Sequence, residues 1–141
     1  MLISRSISDI LNLGRQDMLN QILLYSGSAF ISFWGVAHLF PTRSVVSGFG
    51  EISVDNKRII TMEWIIEGIA LIFIGSINAL VTAIDHTSSI SFVIYLSSVV
   101  VLVVLAFVSF LTGFKISFLP FKLCPVIFIT SAVLIILGGL L

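Results

Sequence analysis

Residues 97–110 read SSVVVLVVLAFVSF. A run this uniformly apolar has no polar face to turn to water, so it is neither an amphipathic surface helix nor a half-buried strand. Three more runs of similar character follow the same rule, at about 21–40, 59–84 and 123–141, and this one extends over about 90–112. About 20 apolar residues cross the roughly 30 Å hydrocarbon core of a bilayer as a helix. Lipid offers backbone N–H and C=O groups no partners, so each crossing must satisfy its own as a helix. Composition agrees: 58% of the residues are hydrophobic and 10% charged, against about 25% charged in soluble domains. The expectation is an all-α membrane protein, a four-transmembrane-helix bundle forming a single membrane domain over residues 1–141, with the lipid bilayer as its solvent. Seven basic and seven acidic residues cancel, which leaves no electrostatic case for nucleic acid.

Residues 1–20 are too polar to be a span. Ile3, Ile7, Ile10, Leu11 and Met18 fall near one helical face and Arg5, Asp9, Asn12 and Arg15 mostly elsewhere, the pattern of an N-terminal amphipathic interfacial helix. The first span ends at Pro41, and its Tyr25, Ser28, Ser32 and Gly35 form a narrow small and hydroxyl face for close helix packing. The connection 41–58 contains Gly48-Phe49-Gly50, which permits a left-handed turn, and Ser53 or Asp55 is placed to cap the second span. Asp85 to Ser89 make a tight polar turn. The third span, the most apolar, should be the most exposed to lipid. Pro125 is expected in the first turn of the fourth span, where its missing N–H costs nothing. The single Cys124 rules out an internal disulfide and reads as a small apolar residue. Connections 41–58 and 113–122 carry Arg43, Lys57, Arg58, Lys115 and Lys122, against Arg5 and Arg15 on the other side. The positive-inside rule then places those connections in the cytoplasm and both termini outside a cytoplasmic (inner) membrane.

Half of the charged residues fall between His38 and Glu67. Glu63 and Glu67 lie four apart on one helix face, and Glu67 is roughly 13 Å along the helix from Arg58. An isolated carboxylate at that depth is costly and needs a partner. Neither glutamate has a base three or four residues away in its own helix, so partners must come from His38, Arg43, Lys115 or Lys122. Asn78 and Thr82 continue the polar stripe. Glu67, Glu63, His38, Arg43 and Asn78 are therefore the candidates for binding a ligand or a proton. No nucleophile elbow, phosphate-cradling loop, haem or thiol motif is present. The Glu-x-x-His spacing of di-iron bundles is also missing, so no metal site and no catalytic constellation is expected.

The stretch Glu67-Gly68-Ile69-Ala70-Leu71-Ile72-Phe73-Ile74-Gly75 resembles the second helix of the DoxX-like four-helix membrane proteins, and Gly35 followed by Pro41 is similar in style to their first. Glu67, Gly68 and Gly75 carry over by position; where the family has a basic residue soon after that glycine, this chain has Ser76-Ile77-Asn78. The resemblance implies a bacterial or archaeal cytoplasmic-membrane protein, with relatives that serve quinone-linked sulfur or thiol oxidoreductase systems and quinone as a possible cofactor. Three roles then compete: an accessory or ligand-binding subunit handling a small hydrophobic molecule, quinone-like or lipid; a proton-coupled exporter; and a structural subunit. The small-residue faces are available to the bundle itself, to a homo-oligomer or to a larger membrane complex.

Overall fold

A computed structural model describes residues 7–116 and 119–141. It contains five α-helices: α1 (Ile7–Leu39), α2 (Thr42–Gly48), α3 (Val54–Asp85), α4 (Ser89–Thr112) and α5 (Leu119–Leu140), with a single 3-10 turn, Gly113–Lys115, after α4. Of these, α1, α3, α4 and α5 are long and apolar enough to cross a membrane. The protein is an all-α, multi-pass membrane bundle.

The outside of this bundle is as apolar as its core. Phe33, Phe73, Ile84, Ile90 and Phe107 are all largely exposed, which lipid tolerates and water does not. As its sequence requires, α4 buries the smallest share of its residues among the four spans. Around the ring, α1 packs most extensively on α3 and on α5, α4 packs on α5, and the α3–α4 contact is the thinnest.

The α1–α3 seam is a glycine seam. A Cβ on Gly35 would come within 2.6 Å of the Gly68 carbonyl oxygen, and one on Gly75 would collide with the Ser28 carbonyl oxygen. Only residues without side chains allow the two backbones this close. Ser28 is buried on this face as expected, whereas Tyr25 is turned outward, 40% exposed.

Three expectations are corrected. Residues 7–20 do not form a separate interfacial helix; they run without a break into the first span as one 33-residue helix. Nothing in that stretch stops a helix, since Gly14 is tolerated and no proline occurs before Pro41. Ile3 and Arg5 lie outside the described residues. The second span starts at Val54 rather than near 59, so the connection shortens to a short helix, α2, and a turn; the left-handed turn falls at Gly50 (φ 72°) and Ser53 caps α3, accepting from the Asn56 N–H at 3.2 Å, both as expected. Finally, α5 begins at Leu119 rather than near 123, so Pro120 occupies the first turn and Pro125 lies inside the helix, where its ring deprives α5 of one helical hydrogen bond.

Candidate functional site

The end of α1 builds the site. A helix leaves its last carbonyls without intrahelical donors, and here they are met from outside. Trp64 of α3 donates its indole N–H to the His38 carbonyl oxygen at 2.6 Å. The Thr42 hydroxyl donates to the carbonyls of His38 and Leu39 at 3.3 and 3.0 Å. Held this way, the Trp64 ring stacks on the His38 imidazole, with centroids 4.8 Å apart and planes 28° apart. Trp34, one turn earlier on α1, meets His38 edge-on at 5.4 Å. Phe121 of α5 meets Trp64 edge-on at 5.4 Å.

The imidazole is 3% exposed. Its Nδ1 lies 3.0 Å from the Trp34 carbonyl oxygen. A carbonyl can only accept, so Nδ1 carries the hydrogen, and the neutral ring presents a bare Nε2. That Nε2 is buried and has no hydrogen-bond partner. It faces Glu67 Oε1 at 3.8 Å, within ion-pair reach and too long for a hydrogen bond. Glu67 keeps 37% of its side chain exposed, so the pair stands at the boundary between core and cavity. A proton added to either group would leave the pair neutral overall, as imidazolium with carboxylate or as imidazole with carboxylic acid.

Two cavities meet at this pair. The inner one, about 280 Å³, is bounded by His38, Trp64, Glu67, Ser109, Phe121 and Cys124. The outer one, about 420 Å³, shares the walls Trp64, Glu67, Leu105 and Phe121 and adds Phe49 and Glu63. Both are lined by residues of α3 and α4, the pair with the thinnest contact around the ring. Those two helices are tied instead near their other ends, by Asn78 Nδ2 donating to Ser98 Oγ at 2.8 Å and by the Thr82 and Tyr95 hydroxyls at 2.9 Å.

Of the five candidates, the structure brings His38 and Glu67 together and places Glu63, exposed, beside Glu67 in the wall of the outer cavity. Arg43 is apart: it is exposed on α2 and borders a different groove, with Lys57, Phe40 and Thr61. Asn78 is fully buried, but about 16 Å further along α3 from Glu67 at 1.5 Å per residue. Between the two polar zones the core holds a layer of apolar side chains, Ile31, Leu71, Leu102 and Phe128, one from each span and each fully buried. Trp64, Phe121 and Cys124 were not singled out from the sequence. Trp64 carried a signal, since it stands three residues before Glu67 on the same helix; an aromatic ring or a thiol in an apolar run otherwise signals nothing. Among the described residues no cluster of three or more His, Cys, Asp or Glu side chains is arranged to hold a metal.

No known family, curated protein or solved structure matches the chain.

Proposed function

We propose that this chain is a ligand-binding or accessory membrane subunit of DoxX-like type, which holds a small hydrophobic molecule, quinone-like or lipid, against Glu67. The observation that supports this is the His38 Nε2 atom. It is buried, has no hydrogen-bond partner and is aimed at a half-exposed carboxylate in the wall of a cavity. A buried polar atom left unpaired costs roughly 1–3 kcal/mol, and a hydroxyl donated by a headgroup beside the pair, as from a quinol or a lipid alcohol, would recover that. The outer cavity is of ligand-binding size, within the range of about 300–1,000 Å³ typical of such sites. In this reading the Glu67 end of the bundle faces the cytoplasm across a cytoplasmic membrane, connections 41–58 and 113–122 are cytoplasmic and both termini are outside, in keeping with the distribution of lysine and arginine.

Native mass spectrometry of the purified protein in mild detergent tests the proposal. The wild type should retain a discrete small-molecule mass that is lost in Glu67→Gln. A bare protein mass in both would instead favour a structural subunit.

A further inference from the structure

The lining of the outer cavity says more about its occupant than its volume does. Glu63 and Glu67 are two acids in one wall, and Phe49, Trp64 and Phe121 are three aromatic rings around them. The rest is aliphatic, and among the described residues no lysine, arginine or histidine borders this cavity. Carboxylates supply negative charge, and aromatic faces attract cations through their quadrupoles, most strongly when both are shielded from water. A carbonyl-bearing or anionic headgroup would find no donor in this wall.

Next door, His38 sets the condition for occupancy. Its bare Nε2 faces Glu67 from α1. The other groups facing the pair are Glu63 on α3, the Cys124 thiol on α5, and the Ser109 and Thr112 side chains on α4. Arg43 and Lys57 border a separate groove, and neither Lys115 nor Lys122 borders either cavity. The extra proton on the His38–Glu67 pair therefore has no fixed cation to replace it. With that proton bound, Glu67 is either neutral or already paired with an imidazolium. With it gone, Glu67 is an unpaired carboxylate beside three aromatic rings.

We propose that the outer cavity binds a hydrophobic organic cation in exchange for the proton shared by His38 and Glu67. This rests on the ligand-binding reading above and narrows its ligand to a charge class. No bond is made or broken beyond the proton transfer: one cation enters, one proton leaves to solvent, and the net charge of the site is unchanged. Proton and cation exclude each other because both require the same carboxylate, and by linkage each weakens the other's binding equally.

Equilibrium binding to the full chain in neutral detergent distinguishes the possibilities, with three probes: tetraphenylphosphonium, its near-isosteric anion tetraphenylborate, and the neutral quinone decylubiquinone. The phosphonium should bind, and the borate should not. Its affinity should rise with pH, by about tenfold per unit where a full proton is displaced, with proton release visible as a buffer-dependent heat. Glu67→Gln should abolish binding and Glu63→Gln weaken it several-fold. His38→Gln should keep the binding and flatten its pH dependence across neutrality, a result that loss of packing alone does not produce. If decylubiquinone binds and the phosphonium does not, or if phosphonium and borate bind alike, the cation proposal is overturned while the ligand-binding reading stands. If none of the three binds, the cation proposal falls, and the ligand-binding reading falls with it only if native mass spectrometry also finds a bare protein mass. Should Glu67→Gln fail to fold, the pH slope of the wild type and its loss in His38→Gln still decide.

Discussion

At the scale of single residues, Trp64 does two jobs, as a ring stacked on His38 and as a donor to the His38 carbonyl. Trp64→Phe separates them, keeping most of the stack and removing the donor. It should lower stability in detergent by about 1 kcal/mol, read as a modest fall in thermal unfolding midpoint. An unchanged midpoint would mean that Thr42 satisfies that carbonyl unaided. Tyr95→Phe should cost less, about 0.6 kcal/mol, because Thr82 retains its bond to the Asn78 carbonyl at 2.7 Å; a loss of several kcal/mol would contradict this. His38 and the two glutamates were legible in the sequence because charge or an imidazole stands out against an apolar run. Asn78 was grouped with them for a reason that helical periodicity makes clear: spacing fixes the face a residue occupies, and says nothing of which neighbours reach that height. The partnership of Trp64, Phe121 and Cys124 depends on how α1, α3 and α5 cross, and no local pattern encodes that.

Among the helices, the α1–α3 seam is the least forgiving contact. Gly75→Ala would drive a methyl into backbone atoms of α1, and backbone cannot swing aside as a side-chain tip can. Overpacking of this kind costs about 1–3 kcal/mol, so the variant should unfold earlier in a denaturant or thermal series. Gly14 makes the control, since it is helical with nothing within 4 Å of an added Cβ. Gly14→Ala should be neutral or stabilising, by up to about 1 kcal/mol. If both substitutions behave alike, the seam is not the close contact described. The sequence marked Gly35 of this seam as a packing position because small and hydroxyl residues at three- and four-residue spacing share one helix face. It misplaced the start of α5 because two prolines, Pro120 and Pro125, each suit a first turn, and only packing chooses between them. The join between residues 7–20 and the first span was hidden for a related reason: polarity changes there while helical geometry does not.

As a whole molecule, the bundle has four crossings, so its connections alternate between two sides. In a Cys124→Ser background, Ser47→Cys on α2 and Ser89→Cys at the start of α4, both exposed, should react with a membrane-impermeant thiol reagent from opposite faces of sealed vesicles. Reaction of both from one face would break the topology. This level was the most legible of the three, because hydrocarbon thickness and backbone satisfaction leave a chain with these four runs few alternatives. The layer of Ile31, Leu71, Leu102 and Phe128 has an electrical consequence. Voltage across a bilayer falls mainly where polarisable groups are scarcest, and here that is the oily floor beneath the His38–Glu67 pair. A full crossing at 100 mV is worth about 2.3 kcal/mol per elementary charge. An ion reaching Glu67 from its own end of the bundle would stop above that floor and cross only part of the drop. In the ligand-binding reading proposed above, occupancy of the site would therefore follow the compartment on its own side more than the membrane potential.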